Sequence, residues 1–228
     1  MIEFQNVTKI YPGEVPALSD VSFTINKRDF VFIVGSSGAG KTTVLRLISA
    51  REFPDRGRVI VDGQDTAKLS LNQISRLRRK FGVVFQDLKL LNDRTVYDNV
   101  VFALQVLGVK RKRISRKVMG ILSQLGISHR RFNYPGQLSE GEKQLAAIAR
   151  ALVIDPLFIL ADEPTRNLDR ETAREIISIF EAINAGGTGI ILATQDVPAN
   201  RVAGSRVLSL DKGRLQPESP ASTGPGGG

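Results

Sequence analysis

The sequence contains no cysteine, so neither a disulfide framework nor any dependence on an oxidising compartment enters the reading. It also lacks any run approaching the roughly 18 to 20 consecutive apolar residues that a membrane span needs. Met1-Ile2-Glu3-Phe4 has neither the basic start nor the apolar core of a signal peptide. A soluble chain is expected, and a role at a membrane would have to come through a partner subunit or through surface charge. The single histidine, His129, falls in a helical region and reads as a surface residue rather than a catalyst.

What is present is enough for a substantial core: 228 residues, 42% of them hydrophobic, fit one domain or one domain carrying an inserted subdomain. Thirty-two Lys and Arg against 23 Asp and Glu leave a formal charge of +9, which favours nucleic acid, anionic lipid or a polyanionic nucleotide without choosing among them. The densest cluster, Lys110 to Lys117, has no interleaved aromatic residue for base stacking. It reads either as a solvated helix face or loop, or as a contact for anionic headgroups near a membrane partner.

Alternating apolar runs at Ile2 to Val7 and Val21 to Ile25, separated by turn-rich segments, predict antiparallel strands. Phe30 to Val34 is an unbroken β-branched and aromatic run, as a buried parallel strand requires. Helical spacing from Val44 to Ala50 follows. Val59 to Val61 and Phe81 to Phe85 predict further strands around a helix at Leu71 to Arg79. Residues of about 87–150 turn helical and read as an inserted α-helical subdomain. Strands at Leu157 to Ala161, Gly189 to Ala193 and Arg206 to Leu210 alternate with helices at Glu142 to Val153 and Glu171 to Asn184. This alternation predicts an α/β fold with a mainly parallel sheet over residues 1–215. The Pro-, Gly- and Ser-rich residues 216–228 are expected to be a disordered tail.

Between the strand ending at Val34 and the next helix, Gly35-Ser36-Ser37-Gly38-Ala39-Gly40-Lys41-Thr42-Thr43 fits the phosphate-binding pattern G-x-x-x-x-G-K-[ST]. Its glycines let backbone N–H groups and a helix N-terminus face negative charge. Lys41 is placed to neutralise the β- and γ-phosphates, and the Thr42 hydroxyl to complete a magnesium shell. Strand Leu157 to Ala161 delivers Asp162 and Glu163 at its carboxyl end. There Asp162 suits the magnesium, and Glu163 suits the water that attacks the γ-phosphate.

With Gln86 after a strand, Leu138-Ser139-Glu140-Gly141-Glu142, Asp162-Glu163-Pro164 and Asn167-Leu168-Asp169 in that order, residues 1 to 214 resemble an ATP-binding cassette (ABC) ATPase. The resemblance implies a P-loop NTPase fold with an antiparallel β subdomain and an α-helical subdomain carrying the signature. It implies ATP hydrolysis with ATP and Mg2+ bound. By it, Tyr11 would stack on adenine, Gln86 would touch magnesium and attacking water, and Ser139 and Gly141 would close over the γ-phosphate of a second copy in an ATP-bound homodimer. The Ser139/Glu142 capping box gives that last role a physical basis, since a helix N-terminus faces phosphate there. Phe85 to Val100 looks most like the cell-division branch of the family, which implies an integral membrane permease as partner. The chain would then sit peripherally at the cytoplasmic face of a bacterial inner membrane, with no nucleic acid bound. ATPase subunits of lipoprotein or macrolide exporters, or a nucleotide-sensing module with little turnover, remain as alternatives.

Two positions depart from the family pattern. Gln195 stands where a histidine is usual, and glutamine can hydrogen-bond a γ-phosphate oxygen or orient water but carries no charge, so slow turnover is expected. Glu140 stands where glycine is usual and puts a carboxylate beside the phosphate-facing helix end.

Overall fold

A computed structural model describes residues 1–13, 15–196 and 202–216. Of the tail expected to be disordered, residues 217–228 lie outside the described residues. Gln216 is described, and its N–H donates to the Ser209 carbonyl at 2.8 Å.

The apolar alternation near the N-terminus becomes two long antiparallel strands, β1 (Ile2–Ile10) and β2 (Pro16–Ile25). They outrun the apolar runs because register shifts let the ladder continue through polar residues. Asn6 and Asp20 take left-handed φ of 50° and 53°, which short polar side chains tolerate, and Asn6 Nδ2 donates to Asp20 Oδ1 at 2.9 Å across the irregularity. With β4 (Arg56–Val61) and β5 (Gln64–Asp65) they form a sheet ordered β2-β1-β4-β5.

The second sheet contains β3 (Phe30–Val34), β6 (Phe81–Val84), β7 (Phe158–Asp162), β8 (Gly189–Thr194), β9 (Arg206–Asp211) and β10 (Arg214–Leu215). Its order is β10-β9-β3-β8-β7-β6, parallel throughout except for the β9–β10 hairpin. Sequence pattern missed β5 and β10 because each is a two-residue strand. Both are made by tight turns, Asp62-Gly63 and Lys212-Gly213, whose central residues all have positive φ, as two-residue hairpins require.

All five residues of β3 are buried, and they divide by the period of two. Phe30, Phe32 and Val34 enter a core with the helices α3 (Val96–Val106), α4 (Arg111–Gln124), α5 (Glu140–Leu152) and α6 (Arg170–Ala185). Val31 and Ile33 enter a second core with α1 (Lys41–Ile48), α2 (Leu71–Arg78) and the antiparallel sheet. A sheet covered on both faces explains why its strands read as continuous apolar runs. It also aims the carboxyl ends of β3, β7 and β8 at one edge, where Gly35, Glu163 and Gln195 follow.

Candidate functional site

The P-loop leaves β3 at Gly35 and enters α1 at Lys41, three residues before the helical spacing alone becomes evident. Gly40 caps the helix at φ 104°, and a Cβ there would lie 2.4 Å from the Ala17 carbonyl oxygen. Glycine at this position therefore meets both a backbone and a packing need. The first helical N–H groups are left to face the cavity.

Lys41 is only 6% exposed. Its ammonium donates to the carbonyls of Gly35 at 2.7 Å and Ser36 at 3.0 Å, and lies 3.3 Å from Glu163 Oε1. Glu163 is the first residue beyond β7 and has φ 48°, while its N–H extends the ladder to the Ala193 carbonyl at 2.8 Å. A non-glycine residue held left-handed costs about 1 kcal/mol or more, and here the bend turns the carboxylate onto the P-loop lysine.

One residue earlier, Asp162 Oδ2 accepts a hydrogen bond from the Thr42 hydroxyl at 2.7 Å. Asp162 Oδ1 is buried with no hydrogen-bond partner. An orphaned carboxylate oxygen beside a hydroxyl is a hard-oxygen donor set, which fits a magnesium ion completing its shell with phosphate oxygens and water. Among the described residues no group of three or more His, Cys, Asp or Glu could hold a metal alone, so such an ion would need the triphosphate.

A cavity of about 290 Å³ is lined by Tyr11, Ser37, Gly38, Gly40, Lys41, Thr42, Thr43, Gln86, Glu163 and Gln195, with Ala17 and Arg166. Ten of the sequence-selected positions thus share one cavity. Ala39 is buried in the second core instead, and Gly35 and Ser36 face the site through carbonyls bonded to Lys41. Arg166 was not anticipated; the only signal is a cation two residues beyond the Glu163-Pro164 turn.

At the rim, the Tyr11 hydroxyl donates to Glu52, which also pairs with Arg46 at 3.0 Å. Burial, then the Glu52 carboxylate, raises the Tyr11 phenol above its usual pKa, so the ring stays neutral. Glu52 therefore fixes the orientation of the candidate adenine platform.

Ser139 and Gly141 do not line this cavity. They open α5, where Ser139 Oγ accepts from the Glu142 N–H at 3.2 Å and Glu142 Oε2 accepts from the Ser139 N–H at 2.8 Å. The Ser139 N–H and then Arg130 hold the Glu142 carboxyl below its usual pKa. Gly141 abuts α6: a Cβ there would lie 2.7 Å from Thr172 Cγ2. Glu140 Oε1 is engaged by Lys143 Nζ at 2.6 Å. Both border a separate cavity of about 340 Å³ that also touches Gln86, Glu163 and Asn167. Asp169 caps α6, accepting from the N–H groups of Glu171 and Thr172. His129 has a side chain 63% exposed, 3.8 Å from Glu142.

The loop after Gln86 carries backbone strain. Leu88 and Lys89 have φ of 54° and 50°, and their carbonyls both accept hydrogen bonds from the Arg150 guanidinium near the end of α5. Burial lowers the Arg150 pKa. This clamp joins the Gln86 loop to the helix that begins at Ser139, a link with no local sequence signature.

A protein-family model described as ABC transporter matches residues 18–166. The chain is similar to the cell division ATP-binding protein FtsE of Mycobacterium tuberculosis, 45% identical over 216 residues and 94% of each chain. It is 41% identical to FtsE of Bacillus subtilis over 213 residues, 93% of each. A solved ATP-binding cassette, dimeric in a post-hydrolysis state bound to ADP and Pi, matches with a TM-score of 0.84 at 32% identity, covering 95% of this chain and 97% of that one.

Proposed function

This chain belongs to the ABC transporter family of ATPases, and we propose that it is the cassette of an FtsEX-like complex in which ATP cycling regulates cell-wall hydrolysis during division. The cell-division names of its relatives, over nearly their whole length, favour this over an exporter or a sensing module. In this reading, ATP closes two copies into a homodimer and hydrolysis releases them. The dimeric state of the similar solved cassette supports that. An FtsX-like permease is the integral membrane partner. No helix among the described residues is long and apolar enough to cross a membrane, so the permease would hold the chain at the cytoplasmic face of the inner membrane.

The observation that carries the chemistry is the pairing of Lys41 with Glu163 and of Thr42 with Asp162. An arriving triphosphate offers Lys41 a new anionic partner in place of Glu163, and P-loop N–H groups orient its oxygens. Freed from Lys41, the Glu163 carboxylate accepts the proton of the attacking water as the water oxygen bonds phosphorus and the bond to ADP breaks. Thr42 and Asp162, with Gln86, would hold Mg2+, which when bound neutralises charge on the phosphates. Gln195 and Gln86, both at the cavity wall, orient that water and the γ-phosphate oxygens by hydrogen bonds. Without imidazolium charge at 195, turnover is slow. Ser139 and Gly141 act on the nucleotide of the second copy, and Tyr11 stacks on adenine.

The experiment is affinity purification of the tagged full chain from bacterial membranes with MgATP. Co-purification of an FtsX-like permease, and filamentous cells on Lys41→Ala substitution, are expected. A lipoprotein- or macrolide-type permease in its place, or no integral protein at all, overturns the assignment.

A further inference from the structure

The basic cluster is not needed by the nucleotide site, and its placement is costly. Helix α4 carries Arg111, Lys112, Arg113, Arg116 and Lys117 and no acidic residue, with Lys110 as its N-cap. Its first turn is thus all positive at the end where the helix dipole already places positive charge. Lys112 with Arg116, and Arg113 with Arg116 and Lys117, are like-charge neighbours on the helix surface. Of these six cations only Lys117 has an ion pair among the described residues, with Asp155.

Local chemistry that opposes its own secondary structure marks a surface kept for something outside the fold. The helix is anchored by Ile114, Val118 and Leu122, all buried, which leaves Lys112, Arg113 and Arg116 exposed on other faces. The corner before it adds an apolar element: Val106, the last residue of α3, is 63% exposed, and the chain turns back at Gly108 with φ 72°. Cations around an exposed aliphatic side chain match an anionic lipid surface, where headgroups take the charge and the aliphatic group enters the interface. Nucleic acid fits less well, because no aromatic residue lies between Leu107 and Val118 to stack on a base.

We infer that the α3–α4 corner, through Lys110, Arg111, Lys112, Arg113 and Arg116 with Val106, is a docking surface for anionic phospholipid headgroups. The chain thereby contacts the bilayer directly, in addition to any permease. This extends the membrane-face reading above, and its test uses lipid alone so that the two can fail separately.

The test is flotation of the purified full chain with vesicles of phosphatidylglycerol and phosphatidylcholine, against vesicles of phosphatidylcholine alone, across a salt series. Binding only to the anionic vesicles, weakening as salt rises, is expected. Each surface cation contributes about fivefold in partitioning. The quadruple change of Lys110, Arg111, Lys112 and Arg113 to Ala is therefore expected to lower binding by about a hundredfold or more, with lipid-free ATPase activity unchanged as the check on folding. A control removing equal charge at exposed Arg56, Arg58, Arg76 and Arg214 is expected to lose far less. Equal loss in the control, or no binding to anionic vesicles, overturns the inference. So does tighter binding to a nucleic acid duplex that the same quadruple change abolishes. None of these outcomes touches the permease assignment.

Discussion

Glu163→Gln separates the structural part of the Lys41–Glu163 pair from the catalytic part proposed for it. The pair is 3.3 Å apart, with side chains 6% and 10% exposed. Breaking a buried ion pair by removing one partner costs about 3–5 kcal/mol. Glutamine preserves the size, and Lys41 keeps its bonds to the Gly35 and Ser36 carbonyls, so the cost falls toward about 2–3 kcal/mol. For a domain of this size that is a fall in Tm of about 5–10 °C, read by calorimetry without nucleotide. Saturating MgATP is expected to close most of this gap, because the triphosphate takes over as the anion facing Lys41. By linkage, a destabilised free form and an equally stable bound form mean that the variant binds ATP tighter, by about tenfold or more. Hydrolysis is expected to be lost in the same variant. Equal melting temperatures without nucleotide, or a gap that persists unchanged under saturating MgATP, would refute the reasoning.

Other substitutions probe separate parts. Lys89→Gly relieves one left-handed residue and is expected to raise the unfolding free energy by about 1 kcal/mol in urea titrations. Arg150→Ala lowers it by about 2–3 kcal/mol, with the loss larger in the Lys89→Gly background, where no strain is left to relax once Arg150 is gone, and additivity of the two would argue against a clamp. Gln195→His is expected to speed steady-state phosphate release, and an equal or lower rate contradicts the role given to this position. Because the Glu142 carboxyl is depressed in the folded chain, its contribution is fully present above the unfolded value of about 4.3 and is lost as pH falls through the lower folded value. The urea midpoint of the parent chain should therefore exceed that of Glu142→Gln at neutral pH and converge on it in acid. A constant offset down to about pH 3 would exclude the linkage.

The P-loop, the carboxylates at the carboxyl end of β7 and the strand–helix alternation were legible because each depends on residues close in sequence. A period-two apolar run, a glycine spacing or a capping box is complete within about ten residues. Long-range consequences of folding were not legible. Nothing local shows that β3 lies between β8 and β9, which is what brings Gln195 to the P-loop wall. The grip of Glu52 on Tyr11 spans 41 residues, and that of Arg150 on Leu88 and Lys89 spans 62 and 61. The strained φ of Glu163 could not be read from a glutamate before proline, a pairing that ordinarily marks extended backbone. Nor does the pattern at Glu140, which puts a carboxylate beside the phosphate-facing helix end, show that Lys143 one turn later engages it.

The most direct test is a calorimetric titration of MgATP into the parent chain and into Lys41→Ala, run side by side. The parent is expected to bind MgATP in a saturable manner and the variant at least about a hundredfold more weakly, as the loss of a buried charge-assisted contact implies. A parent chain without affinity for MgATP, or two indistinguishable isotherms, would contradict the account at its root.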